Sequence, residues 1–133
     1  MKRLFQTAGL FAIALCSLHA QTSTNRAEIP FDFRMGSTIL PAGTYFVQQS
    51  GYLLTIREEG GTNRSLMQLT QPAARKAVSL QPKLEFHRYG STYFLTAIWN
   101  QNSHEGQALP QSKQEQELIT HAQLLQTASI PLR

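Results

Sequence analysis

Along most of this chain hydrophobic and polar residues alternate in short runs, with turn residues between the runs. Such a pattern predicts an all-β domain. In residues 29–35, Phe31, Phe33 and Met35 fall on one side and Asp32 and Arg34 on the other. Pro30 sits at the start of that run, where a missing N–H is tolerated. Leu40-Pro41-Ala42-Gly43 reads as a turn with proline second and glycine fourth. Residues 44–49 and 52–57 read as two strands around Ser50-Gly51, with Tyr52, Leu54 and Ile56 on one face. A glycine-rich turn over 58–63 leads into a strand over 64–70. Residues 71–82, bracketed by Pro72 and Pro82, read either as an edge strand through 77–80 or as an irregular crossover.

The clearest hairpin lies between residues 83–89 and 92–99. Gly90-Ser91 separates them as a two-residue turn with glycine first. That register sets Phe86 opposite Leu95 and Leu84 opposite Ala97, with Tyr93 and Trp99 on the same side. The other face pairs His87 with Phe94, Glu85 with Thr96 and Lys83 with Ile98. A slip of one residue would mix the two faces, so the pattern supports the register.

The period then changes. Ser112 and Glu115 have capping-box spacing, and Leu118, Ile119, Ala122 and Leu125 fall on one helical stripe. A helix over about residues 112–127 is expected. The resulting fold class is mainly β, a six- to seven-stranded antiparallel sandwich or small barrel with one C-terminal α-helix.

The first twenty residues read differently from the rest. Lys2 and Arg3 precede an apolar run over residues 8–18, and Ser17-Leu18-His19-Ala20 offers a small residue at a cut site. This order is that of a secretory signal. The run is too short for a spanning helix, which needs about 20 apolar residues. Cys16 is preceded by Leu15 and lies inside the apolar run, which argues against lipidation. The expected organisation is a signal peptide at 1–20, a polar lead-in at 21–28 and a single domain at 29–133. No transmembrane segment is expected after cleavage.

Removing residues 1–20 takes Lys2 and Arg3 away, so the formal charge of +4 falls to +2. Scattered charges of that size make no case for nucleic acid. Cys16 is the sole cysteine, so the exported part would hold together without disulfides.

Candidate chemistry is sparse. His104-Glu105 begins like H-E-x-x-H, but Ala108 stands where the second histidine belongs. His87, His104 and His121 have no ligand spacing, and no metal or other cofactor is expected. There is no G-x-S-x-G motif. Glu58 and Glu59 are adjacent in a turn, and Asp32 and Glu85 occupy outward strand positions. Asn63-Arg64-Ser65 is a formal glycosylation sequon. The aromatic residues suffice for a core with some left over. Phe94, with His87 and Arg88 nearby, is the expected partner-binding surface, since exposed aromatics and arginine are common anchors.

The stretches IPFDFRMGSTILPAGTY (29–45), LEFHRYGSTYFLTAIW (84–99) and LPQSKQEQEL (109–118) carry a family likeness. The chain resembles small exported proteins of unknown function from soil bacteria, which share PFxFxxGxxxLPAGxY, FHRYG and LPxSxxExEL motifs. The resemblance implies a single exported domain and assigns no catalytic or binding residue.

The expected function is therefore that of an exported, non-catalytic domain, binding or structural in the cell envelope, with an unidentified envelope or extracellular partner. Its place is the periplasm or the medium. The alternatives are a β-barrel carrier of a small apolar ligand and, behind it, an enzyme with an unfamiliar site. Long paired strands with an open edge also raise the expectation of a dimer formed by edge pairing.

Overall fold

A computed structural model describes residues 23–60, 64–121 and 125–133. The signal-like segment with Cys16, and Asn63 of the sequon, lie outside the described residues. Two sheets pack face to face. The first has strand order β1 (Ser23–Ile29), β4 (Gly43–Ser50), β5 (Leu53–Glu58), β6 (Ser65–Leu69). The second runs β11 (Leu125–Pro131), β8 (Lys83–Tyr89), β9 (Thr92–Trp99), β10 (Ser103–Ala108), β7 (Gln71–Ser79). Two short strands, β2 (Phe33–Met35) and β3 (Thr38–Leu40), form a hairpin whose first strand runs parallel to the start of β9. Among the described residues one helix, α1 (Lys113–Thr120), completes the fold. This is a sandwich, and the sheets do not close into a barrel.

Period-2 burial fills the space between the sheets. Ala27 and Ile29 of β1, Tyr45 and Val47 of β4, and Leu54 and Ile56 of β5 face Leu84 and Phe86 of β8. Each of the larger of these contributes about 1.5–3 kcal/mol by leaving water. Phe33 lies edge-on to both Tyr45 and Phe86, at centroid distances of 5.3 and 5.4 Å.

The 29–45 motif is explained by local bonds. The Asp32 carboxylate accepts from the Ala42 N–H at 2.8 Å, and the Tyr45 hydroxyl donates to the Pro41 carbonyl. Burial and the nearby Glu58 and Asp32 charges push the Tyr45 phenol up to about 12. The phenol therefore stays a donor, and its bond ties the LPAG turn to the core.

Several expectations are corrected. The polar lead-in at 21–28 is largely strand: β1 pairs with β4 from Ser23↔Gln49 to Ile29↔Gly43. Main-chain pairing, which polar residues make as well as apolar ones, supplies its order. The single strand expected over 29–35 is broken after Ile29, and β2 begins only at Phe33. Of the two readings of residues 71–82 the edge strand holds, with wider bounds than 77–80: β7 runs Gln71–Ser79 and pairs with β10.

At the C-terminal end α1 stops at Thr120, with His121 as its cap, and residues 125–131 are strand instead of helix. There Ala128 and Ile130 alternate toward the core while Thr127 and Ser129 are exposed. The edge of β8 supplies seven paired positions that a helix would leave empty.

The hairpin register holds near the turn and fails beyond it. Phe86↔Leu95 and His87↔Phe94 pair as expected, with Gly90 at φ +62°. Glu85 then pairs with Ala97, so Thr96 is an extra residue in a bulge. The Thr96 hydroxyl donates to the Glu85 carbonyl at 3.1 Å, and its carbonyl accepts from the Leu109 N–H at 2.8 Å. The bulge changes the phase of β9. Ile98 joins the core, and Trp99 turns to the opposite face, across from Lys83.

Candidate functional site

The hairpin residues singled out from the sequence do not form one surface. His87 and Phe94 are cross-strand partners on the face of the second sheet that points away from the core. Phe94 is only 2% exposed and lies edge-on to Tyr89 at 5.7 Å. Arg88, next along the strand, points to the other face. There its guanidinium lies over the Tyr93 ring and bonds the Gly90 carbonyl and Gln126. Phe94 is thus not available to a partner, because the chain itself covers it.

The cover includes α1. Ser112 caps the helix by accepting from the Glu115 N–H at 3.2 Å. Glu115, the buried residue of this helix, is 3% exposed. The Tyr89 hydroxyl donates to its Oε1 at 3.1 Å. Burial pushes the Glu115 carboxyl up from its ordinary range, while the Tyr89 bond and the His87 charge pull it down. Burial also raises the Tyr89 phenol, to about 12, helped by the carboxylate beside it. Further along this face the Trp99 indole N–H donates to Glu85 at 3.2 Å, and Arg75 lies 4.5 Å over the indole ring. Own side chains close this face.

The arrangement most open to a ligand lies elsewhere, at one end of the interface between the sheets. Gln107 pairs with Ile98, a core residue, and cross-strand partners share a face. Gln107 and, two residues before it, Glu105 therefore occupy the core-facing side of β10. Their partners across β7 are Pro72 and Ala74. Inner-face positions of a sandwich are ordinarily apolar. Here they carry a carboxylate and an amide over a floor of small residues.

The Gly51–Tyr52 turn of the first sheet borders the same residues, and Tyr52 is 59% exposed. Together with Asn100 these residues enclose a surface cleft of about 400 Å³. The sequence pattern assigned Tyr52 to the face of Leu54 and Ile56, but it belongs to the turn before β5.

A polar network fixes the cleft from below. Thr70, 6% exposed, joins β6 to β7 where one nearly continuous strand passes between the sheets. Its N–H donates to the Tyr52 carbonyl at 2.7 Å. Its hydroxyl lies 2.9 Å from the same carbonyl and 3.2 Å from Gln107 Oε1. Gln49 Nε2 reaches the Thr70 hydroxyl at 3.5 Å, and Gln49 Oε1 is buried without a partner. Behind the floor, Gly106 leaves its Cβ side to Trp99, whose ring an added methyl would meet at 2.6 Å.

Sequence reasoning missed this site because residues 100–109 lack the apolar alternation that marks a strand. The one available signal was the i, i+2 spacing of Glu105 and Gln107 around a glycine. Among the described residues, no three His, Cys, Asp or Glu side chains gather as metal ligands would. No described helix is long and apolar enough to cross a membrane. No protein-family model, no curated protein and no solved structure matches this chain.

Proposed function

We propose that this chain is an exported, non-catalytic binding domain of the bacterial cell envelope, at work in the periplasm or outside the cell. The cleft that Tyr52 lines is where it binds. The observation that carries the reading is the placement of Glu105 and Gln107 on inner-face positions, where they line a surface cleft together with the exposed Tyr52. Among the described residues Glu105 makes no side-chain bond that would explain a polar group at such a position, and binding sites use a few placed polar groups beside an aromatic wall. The charged start and apolar run over residues 2–18 support export, as does the likeness to small exported proteins.

The carrier alternative loses its support, because the sheets stay open and the space between them is filled by side chains such as Phe33, Tyr45 and Phe86. The test is native mass spectrometry of the protein taken from its own periplasm or medium. The expected species begins at Gln21 and carries added mass that Tyr52→Ala removes. A chain kept unprocessed in the cytoplasm would overturn the reading.

A second reading rests on a separate observation. Strand β6 is an edge with Met67 and Leu69 exposed at 66% and 68%. The β7 edge carries Pro72, Arg75 and Lys76, residues that discourage strand addition, whereas β6 has none within it. Pairing of β6 with a second copy is the dimer this edge would form.

A further inference from the structure

The geometry points to a neutral, hydroxyl-rich ligand in the cleft: a saccharide unit of an envelope or extracellular polymer, laid on the Tyr52 ring and bonded by Asn100, Glu105 and Gln107. The inference rests on the binding reading above and names the ligand class of that same cleft.

Charge excludes the first competitor. Among the described residues, no lysine, arginine or histidine lines the cleft, and Glu105 is the one carboxylic acid that does. A phosphate or carboxylate would meet that acid with no cation to offset it, and anion sites depend on such cations. Polarity excludes the second. A fatty chain would bury Glu105, Asn100 and Gln107 unpaired, and desolvating polar groups without partners opposes binding.

A sugar ring meets both conditions. Its C–H face is apolar and flat enough to lie on an aromatic ring, and its rim of hydroxyls both donates and accepts. The side chains are matched to that rim. The Glu105 carboxylate only accepts, and Asn100 does both. The Gln107 Oε1 faces the Thr70 hydroxyl at 3.2 Å, and its NH₂ can donate to a ligand. Pro72, Ala73 and Ala74 line the cleft with small side chains, and its volume of about 400 Å³ is enough to hold a sugar ring. The cleft opens at the surface, so a polymer can run through it without an end having to enter.

The test is an NMR titration of the exported protein with three soluble probes: cellohexaose, maltohexaose and chitohexaose. At least one should shift the Asn100 and Gln107 side-chain amide signals. Tyr52→Ala should weaken that binding by about tenfold or more, and Glu105→Ala by about fivefold, each converting to roughly 1 kcal/mol or above. The Tyr52 ring is largely exposed, so its removal leaves the fold intact, which the unchanged amide spectrum of β8 and β9 would confirm.

If no probe moves the cleft signals at millimolar concentration, or if the shifts survive Tyr52→Ala, the saccharide assignment fails. The two readings separate in a parallel experiment with envelope extract freed of polysaccharide. A Tyr52-dependent mass adduct from that extract, with the sugars silent, would leave a binding domain whose ligand is not a saccharide.

Discussion

Glu115 shows how much of a residue's role is local and how much is not. Its N–H bonds the Ser112 hydroxyl, as the capping-box spacing implies. Its side chain does not reach back to the cap. It goes instead to the Tyr89 hydroxyl, 26 positions away in sequence, a pairing that no local spacing encodes. The burial has a consequence for pH. A carboxyl raised in the folded state favours its protonated form there, so its contribution to stability is full below the unfolded value near 4.3 and is lost as pH rises through the folded value. Glu115→Gln, which stays neutral, should lack this loss. Thermal unfolding between about pH 4 and pH 7 should show the variant gaining on the parent as pH rises. Parallel curves for the two proteins would refute it. Gly106 gives a second residue-scale outcome. A methyl there would press on the Trp99 ring and the Ile98 carbonyl, so Gly106→Ala should cost about 1–3 kcal/mol in urea unfolding.

At the scale of elements, legibility followed the range of the interactions. The 83–99 hairpin was readable near Gly90 because a two-residue turn sets its own register. It ceased to be readable at Thr96, where the bulge depends on the Glu85 carbonyl and on Leu109 from a later segment. Thr96→Val keeps the shape and removes the donor. It should cost about 1 kcal/mol, read as a lower denaturant midpoint with unchanged slope. Helix α1 was legible at its start and not at its end. The apolar stripe expected to dock it is weakly used, with Ile119 43% exposed, while β11 answers the open edge of β8. Edges also decide association. A dimer formed along β6 should weaken by about tenfold or more with Met67→Lys, since a charge on an edge discourages pairing. Sedimentation equilibrium of the two proteins measures this, and a parent that stays monomeric at every concentration would remove the dimer.

Across the whole molecule, the two sheets are joined on both sides by main chain. On one side Arg26 and Arg133 exchange backbone bonds of 2.7 and 2.9 Å, carrying the chain end from the second sheet onto the first. On the other, Thr70 sits where β6 becomes β7. The class of fold was legible because alternation needs only the sequence. The cleft was not, since it exists through the convergence of Tyr52, Asn100 and Gln107 from three separate turns and strands. The two joints should therefore behave differently when cut. Removing Arg133 deletes two backbone bonds far from the cleft, and should lower stability while leaving ligand affinity unchanged. Thr70→Val removes the hydroxyl that lies between Tyr52 and Gln107 and that Gln49 Nε2 reaches; the Tyr52 carbonyl keeps the Thr70 N–H, so the cost should be about 1 kcal/mol. The substitution also frees the two walls of the cleft to move apart, so affinity should fall along with stability. Calorimetry of both variants, with and without the ligand identified in the titration, separates the cases. Equal loss of stability with affinity untouched in Thr70→Val would mean that the cleft is held by Pro72 and the β10 pairing alone, and that Thr70 serves only to join the sheets.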